Sequence, residues 1–542
     1  MESSVIFPSF VSIIFSIWAG ITLYQYAAIG TRKRVLFVSY LGFIVTFGCV
    51  VLISFDIDNT LANRYRSFLY YAWRVMYWSL QLLSWIIFPF NMEKDRTGSW
   101  KKSLRRNAIW WVIYAVCGLV AVVYFMGVTN IGFQGMIAFA YALSNSWGLF
   151  LIILFAGYGL VAAPQWFYLK SKPKEYMEHL YVQAVQRDDA RLAARYDLQD
   201  VYNEAKKALD PADPDMVAVA TFLSNAYGTA NSKEMRSTAF SAPAESDKNT
   251  ALREGLQTAK RAITAWNLLV KECVVYENLY GTAEAVPELQ LRIHQTYLLS
   301  MKVFAVSAGF LSVLIIIAQS TIFIDVWWLS VIAIMFRKGV WENPQVMEGA
   351  VSSFLIQALI TIPPLWMFYC CFWSLTRLKV AQWYGLYPNH NTDTISLMWC
   401  GGMLIRISFP LVYNYLFVLR IPDHPATAFE EMQGWMNVVP LLGESFAEYF
   451  PLLILVVALL TLSNTYRKIT NALGLGSVQF DSPEEPETRL KLIDYGKKLI
   501  LRERQTKRPS IDNGALPKLV GSERGYATLP THAELNLNTT IP

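Results

Sequence analysis

The chain has 542 residues, of which 54% are hydrophobic and only 16% carry a charged side chain. Soluble domains average about 25% charged residues, so this composition excludes a large soluble protein, a disordered chain and a small disulfide scaffold. The net charge of +6 says little by itself, and the positions of the basic residues carry the information.

Nine apolar segments are long enough for membrane-spanning helices, because crossing the hydrocarbon core takes roughly 20 apolar residues. In chain order they are 5–30, 35–55, 70–90, 108–128, 137–161, 298–320, 351–373, 395–419 and 441–462. We therefore expect an all-α, polytopic transmembrane helix bundle of about nine spans. Spans one to five fall in residues 1–163, and spans six to nine fall in residues 298–462.

Basic residues are unevenly distributed between alternate loops. The loops after spans one, three and seven are basic and contain Arg32, Lys33, Arg34, Lys94, Arg96, Lys101, Lys102, Arg105, Arg106, Arg377 and Lys379. The opposite loops hold fewer, namely Arg64, Arg66, Arg337, Lys338 and Arg420. Since cytoplasmic loops carry the excess of Lys and Arg, the N-terminus is predicted outside or in a lumen, and the C-terminus in the cytosol.

One apolar run, residues 326–336, is about half the length that a crossing needs. Reading it as a tenth span would invert all later loops and expose the basic tail. We therefore predict an interfacial or re-entrant helix, with Trp327 and Trp328 at headgroup depth.

Residues 164–297 form a polar insertion between spans five and six. Its segments 175–209 and 251–280 are charged and helix-forming, and a loop rich in Ser, Pro and Ala, 232–249, separates them. In the second segment, apolar residues recur at a spacing of three to four, which indicates one buried face. We predict a cytosolic helical hairpin that either docks on the bundle or binds protein partners through residues 175–285.

Residues 463–542 form a tail that is predicted to be cytosolic. Its part 483–504 is charged and helix-forming, whereas the stretch from Thr506 has few apolar residues and is typical of disorder. Asn538 begins the chain's N-glycosylation sequon, which the predicted topology places in the cytosol, where it cannot be modified.

Arg406 lies at the middle of span eight, where an ionisable residue is costly and is a functional candidate by default. Pro410 follows four residues later and has no N–H, so the carbonyl of Arg406 loses its helical donor and the helix is expected to kink. The pattern fits a structural arginine that neighbouring helices satisfy. It also fits a contact with an ion or a lipophilic ligand, and the sequence does not choose between them.

Glu444 and Glu448 raise a matching question in span nine. They are four residues apart and share one helix face, which must look into the bundle or into a wet cavity. Arg406, or Arg74 near the outer end of span three, could supply the opposite charge.

Signatures of enzymes are missing from the sequence. It holds no GxSxG motif, Walker A loop, pair of intramembrane aspartates or His/Glu metal set, so we expect no catalytic activity, cofactor or metal. No cysteine pair suggests a disulfide framework. The basic loops need no nucleic-acid explanation, because the orientation of the spans accounts for them.

Four passages, taken in order, resemble one family. They are YYAWRVMYWSLQLLSWIIFPF with the following NMEKDRTGSWKKSLRRN (70–107), NSWGLFLIILFAGYGLVAAPQWFY (145–168), GLYPNHNTDTISLMWCGGMLIRISFPLVYNYL (385–416) and FEEMQGWMNVVPLLGESFAEYFPLLILV (429–456). They are similar to the LIMR family, the limb-region and lipocalin-receptor-like membrane proteins. Their order and spacing are most similar to its domain-containing-protein-2 branch.

This resemblance implies a nine-span protein with a large cytosolic helical loop between spans five and six, and a fold similar to that of the retinol-uptake receptor. It implies a receptor or signalling partner, since family members are described as endocytic lipocalin receptors, a partner in lysosomal cobalamin export, and modulators of G-protein-coupled receptor signalling. No catalytic residues carry over. The alternative is a transporter or uptake receptor for a lipophilic or cofactor ligand near Arg406. Both the plasma membrane and the endolysosomal membrane fit.

Overall fold

The structure is a computed structural model. It describes residues 5–29, 31–61, 65–129, 133–207, 209–211, 213–227, 245–280, 288–324, 327–338, 350–377, 379–380, 385–419, 426–433, 448–463, 478–479 and 486–511. The chain divides into two compact units, the bundle unit (Met1–Glu178 and Asn278–Thr488) and the arm unit (His179–Glu277 and Arg489–Pro542).

Helices account for nearly all of the described structure. In chain order they are α1 (Ile6–Tyr26), α2 (Lys33–Leu61), α3 (Arg66–Leu82), α4 (Phe88–Thr97), α5 (Trp100–Thr129), α6 (Phe133–Lys170), α7 (Pro173–Ala205), α8 (Pro214–Tyr227), α9 (Glu245–Tyr280), α10 (Glu288–Ser320), α11 (Val331–Phe336), α12 (Ala350–Arg377), α13 (Thr394–Leu419), α14 (Ala428–Gln433), α15 (Leu452–Leu462) and α16 (Pro486–Ile511). Two short strands, β1 (Lys379–Val380) and β2 (Val478–Gln479), pair antiparallel.

The predicted all-α helix bundle is confirmed. Each predicted span overlaps a helix, and six helical segments of the described chain are long and apolar enough to cross a membrane, namely Ile6–Tyr26, Lys33–Thr60, Ser144–Lys170, Glu288–Ser320, Phe354–Arg377 and Thr394–Leu419. The number of nine spans and their orientation stay predictions.

The described part of the predicted apolar run 326–336 begins at Trp327 and consists of short pieces. A 3₁₀ turn, Trp327–Leu329, precedes α11, and the Ser330 hydroxyl accepts a hydrogen bond from the Ala333 amide to cap that helix. With six residues, α11 is far too short to cross a bilayer. Its predicted position at the membrane interface stays a prediction.

Two helices organise the core of the bundle unit. Helix α6 packs against α10, α12, α13 and α15, and helix α2 packs against α1, α3, α12 and α13. The continuous hydrophobic cluster between them includes the fully buried Trp73, Phe155, Phe368 and Tyr415. Van der Waals packing of these aromatic side chains holds the helices together, because lipid tails are as apolar as the side chains and leave no hydrophobic driving force between helices.

Prolines inside the helices free backbone carbonyl groups, and a neighbouring helix can satisfy them. In α12, Pro364 has no N–H for the carbonyl of Ile360, four residues earlier. The hydroxyl of Tyr415 in α13 donates to that carbonyl at 2.8 Å. This side chain therefore supplies the hydrogen bond that the proline removes.

The arm unit contains the predicted hairpin segments and a further helix. Side chains of α7, α8 and α9 share a buried cluster, and Tyr181 of α7 donates to Glu277 Oε1 of α9 at 2.8 Å. Helix α16 buries Leu492, Leu499 and Ile500, and Arg504 forms an ion pair with Glu277 at 3.5 Å. The tail helix is thus part of this unit. Most of the predicted loop 232–249, the tail from 512 onward and Asn538 lie outside the described residues.

Candidate functional site

A π-helical turn, Leu83–Ile87, joins α3 to α4 in the predicted third span. Pro89 lies at the start of α4 and cannot donate to the carbonyl of Trp85, four residues earlier. The indole N–H of Trp111 in α5 donates to that carbonyl at 3.1 Å. Such π-helical turns occur frequently at functional sites, and here α5 fixes the turn in place.

Arg406 lies beside this turn. Its Nε donates to the hydroxyl of Ser84 at 3.1 Å, and its guanidinium carbon lies 5.3 Å from the centroid of the Trp85 ring. The Trp85 indole N–H is held by Gln81 Oε1 at 2.8 Å, and the ring of Tyr114 packs edge-on at 5.7 Å. A hydroxyl and an aromatic face therefore support the cation on one side.

Pro410 lies within a continuous α13, one turn after Arg406. Of the predicted site residues, Arg406 and Pro410 are the two that the described structure places next to each other. The carbonyl of Arg406 and the ring of Pro410 face α6 at Gly148. The expected kink of the helix at this turn stays a prediction.

The other predicted site residues lie apart or outside the described chain. Arg74 is exposed and its guanidinium lies over the ring of Tyr70, 5.7 Å from the centroid. It is about 15 Å from Ser84 along α3, at 1.5 Å per residue. Glu448 is half-buried just before α15, and Glu444 lies outside the described residues. An ion pair between Arg406 and a glutamate of span nine stays a prediction.

A buried carboxylate that the sequence prediction missed lies at the end of α2. Asp56 is fully buried, and its Oδ2 accepts hydrogen bonds from the indole N–H of Trp73 at 2.8 Å and from the amide of Phe429 at 2.9 Å. Its Oδ1 accepts from the amide of Ala428 at 3.1 Å. Since the first amides of a helix have no internal partner, this carboxylate caps the N-terminus of α14.

Two further contacts hold α14. Nε of Arg66, at the start of α3, donates to Glu431 Oε2 at 3.0 Å, and a second hydrogen bond joins the same two side chains. The hydrogen bonding to Arg66 lowers the pKa of Glu431. The amide of Asn145 in α6 donates to Gln433 Oε1 at 3.0 Å. The short α14 is thus bound to α2, α3 and α6.

Further buried polar side chains link the same ends of the bundle helices. The amide of Gln357 in α12 donates to Asp58 Oδ2 at 2.5 Å. The amide of Gln319 in α10 donates to Asn414 Oδ1 in α13 at 2.5 Å. Buried polar groups of this kind are costly unless they are hydrogen-bonded, so these pairs favour one arrangement of the four helices.

The missed aspartates carried a signal in the sequence. The predicted second span ended at Phe55, whereas α2 continues to Leu61 and places Asp56 and Asp58 inside the helix. Ionisable residues inside a span are functional candidates by default, and a span longer by one turn would have included both. Within the described ranges, no group of three or more His, Cys, Asp or Glu side chains could hold a metal ion.

The sequence matches known proteins over most of its length. LMBR1 domain-containing protein 2 homolog A of Dictyostelium discoideum is 26% identical over 80% of this chain and 62% of its own length. The G-protein coupled receptor-associated proteins LMBRD2 of Gallus gallus and Homo sapiens are 24% and 23% identical, over 80% of this chain and 69% and 68% of theirs. This chain therefore spans less than two thirds of the Dictyostelium relative. No solved structure matches it.

The family-level comparison covers both halves of the bundle unit. The profile of LMBR1-like membrane proteins matches residues 4–466, which include the π-helical turn, Arg406 and the Asp56 contacts to α14. The name of the Dictyostelium relative also contains LMBR1. The chain is a member of the LMBR1-like membrane protein family.

Proposed function

We propose that this chain is a non-enzymatic, multi-pass membrane protein that associates with G-protein-coupled receptors and regulates their signalling. The observation that supports the proposal is the name that relatives from chicken, frog and human share, G-protein coupled receptor-associated protein. These relatives are 23–24% identical to this chain over about 80% of its length.

The arm unit is the surface that we assign to the receptor or its signalling partners. Its helices carry many charged residues, and apolar side chains on it remain exposed, including Leu192, Tyr196, Val217, Leu490 and Leu501. A surface that binds another protein combines an apolar centre with a polar rim, and we assign that role to these residues. We place this unit in the cytosol, and the protein in the plasma or endolysosomal membrane.

The test is receptor capture in mild detergent with three forms of the chain. These are the full chain, a chain that lacks 179–277 and ends at 488, and an unrelated multi-pass protein as the control. We expect the full chain to retain receptors above the control, and the shortened chain to remain monodisperse but lose them. Capture no greater than that of the control would refute the function. Equal capture by the full and the shortened chain would assign the binding surface to the bundle unit.

A second candidate function is uptake or transport of a lipophilic or cofactor ligand. The observation that favours it is the positive charge of Arg406 at the middle of α13, beside a π-helical turn. A ligand that the protein carries across the membrane would be expected to pass this charge. Accumulation of a labelled ligand in vesicles that contain the purified protein separates transport from receptor association.

A further inference from the structure

If α13 crosses the membrane as predicted, the positive charge of Arg406 lies at a depth that no headgroup reaches. It lies about 18–20 Å from each end of α13, at 1.5 Å per residue. The hydrocarbon core is about 30 Å thick, so a residue at its middle is about 15 Å from either headgroup region. This distance is too great for a single side chain to bring its charge into water.

The hydrogen bonds of Arg406 leave part of its guanidinium available. Its Nε donates to Ser84, and its guanidinium carbon lies over the ring of Trp85. Among the described residues no carboxylate forms an ion pair with Arg406, and its side-chain hydrogen bond to Ser84 uses Nε, which leaves the donors of Nη1 and Nη2. A planar pair of N–H donors is the group that recognises a carboxylate in a bidentate manner.

The walls of this site are aromatic, and they are open to the outside of the bundle. Trp85 and Tyr114 are 46% and 52% exposed, and Trp110 beside Tyr114 is also exposed. Since these residues belong to predicted spans, the surface they expose faces the hydrocarbon. An acyl chain could therefore lie against them while its polar end reaches Arg406.

Hydrogen bonds already orient the side chains of the site before any ligand binds. Gln81 fixes the indole of Trp85, and Trp111 donates to the Trp85 carbonyl. Ser84 sets the direction of the guanidinium. A site whose donors are already placed loses less entropy when it binds.

We propose that Arg406 binds the carboxylate of a single-chain lipophilic acid that enters from the hydrocarbon side between α3 and α5. The depth of the charge selects this class, because the phosphate of a phospholipid is kept at the interface by its bulky headgroup. A long-chain acid has one small polar end and can place it at mid-depth. The ion pair also removes the cost of leaving an arginine unpaired in the membrane.

The test uses the purified full chain in detergent micelles and a palmitic acid that carries a photoreactive diazirine. Labelled peptides are mapped by mass spectrometry, and competition is measured with palmitate and with its neutral methyl ester. We expect saturable labelling in α3, α5 and α13 that palmitate displaces. The ester should compete at least about tenfold more weakly, the usual effect of losing a hydrogen bond to a charged group.

Variants then assign the binding to the arginine. Arg406→Gln should weaken labelling at least about tenfold, whereas Lys302→Gln, which removes an exposed cation from α10, should leave it unchanged. If Arg406→Gln does not fold, two measurements test the role of the arginine instead. They are the labelling of Arg406→Lys and the competition of acid against ester in the natural chain.

Four results would overturn the proposal. These are no saturable labelling, equal competition by acid and ester, unchanged labelling in the arginine variants, and stronger displacement by lysophosphatidic acid than by palmitate. The last would assign the site to a phospholipid. Receptor capture plays no part in this experiment, so its outcome is independent of the proposed function.

Discussion

Gly148 of α6 lies directly against Pro410 of α13. A Cβ atom at position 148 would come within 2.3 Å of the Pro410 Cγ and within 2.3 Å of the carbonyl oxygen of Arg406. This carbonyl is the one that Pro410 deprives of its helical donor. The absence of a side chain at Gly148 therefore lets α6 cover a backbone group that would otherwise face the membrane interior.

Replacing Gly148 by alanine should destabilise the bundle unit. A proline ring and a backbone carbonyl cannot move aside as a flexible side chain can, so α6 and α13 must separate. The cost should be about 1–3 kcal/mol, the usual range for overpacking. Gly118→Ala in α5 is the matched control, because a Cβ there meets nothing within 4 Å. Thermal unfolding in detergent measures both, and equal midpoints would contradict this close approach.

The attachment of α14 should depend on the charge of Asp56. Asp56→Asn replaces one acceptor oxygen by a donor group, which must then face an N–H of Trp73 or of the α14 backbone. The expected loss is on the order of 1.5–3 kcal/mol, since a charged acceptor is removed in a buried site. Hydrogen exchange of residues 426–433 should become faster.

The control for this change is Glu431→Gln, which removes only the exposed ion pair with Arg66. Exposed pairs contribute about 0–1 kcal/mol, so exchange in α14 should change little. If the two variants loosen α14 equally, the buried carboxylate is not what holds it.

The sequence was sufficient to predict the helices, but it was not sufficient to predict the contacts between them. Hydropathy over about 20 residues located the apolar segments, because the bilayer imposes that length on any crossing. The same rule does not define where a helix ends, so the predicted second span stops at Phe55, six residues before the end of α2, and leaves Asp56 outside it. The partners of Arg406 were also beyond prediction, because Ser84 and Trp85 are over 300 positions away in sequence.

Helix α16 should be required for the integrity of the arm unit. A Cβ at Gly496 would lie 1.9 Å from the carbonyl oxygen of Tyr181, so Gly496→Leu should displace α16 from α7. Cys273 reports this change, because burial raises the pKa of its thiol to about 12 and keeps it unreactive. It lies one turn before Glu277, which Arg504 of α16 contacts.

Alkylation of Cys273 by maleimide in a Cys117→Ala background measures the effect. Gly496→Leu should raise the rate about tenfold, which corresponds to a loss of about 1.4 kcal/mol. Lys498→Leu, at an exposed position of the same helix, should leave the rate unchanged. An unchanged rate in both variants would show that α16 is dispensable for the arm unit.

The predicted orientation of the chain can be tested with two epitope tags. Since basic residues are concentrated in the loops assigned to the cytosol, tags at residue 240 and at the C-terminus should need permeabilised membranes for detection. Asn538 should stay unglycosylated in the same cells. A tag inserted between spans four and five, at residue 131, should be accessible in intact cells if the protein is at the surface. Detection of the residue 240 tag without permeabilisation would contradict the predicted orientation.

The last prediction concerns Pro364 and Tyr415, which should be energetically coupled through the Ile360 carbonyl. Tyr415→Phe removes the hydroxyl that donates to this carbonyl and leaves a buried acceptor unsatisfied, at a cost of about 1–3 kcal/mol. In a Pro364→Ala background, the new amide N–H can make the ordinary helical bond to Ile360, so the same change should cost less. A double-mutant cycle on the unfolding free energy isolates this coupling, which should exceed about 0.5 kcal/mol. Strictly additive effects would show that the tyrosine does not compensate for the proline.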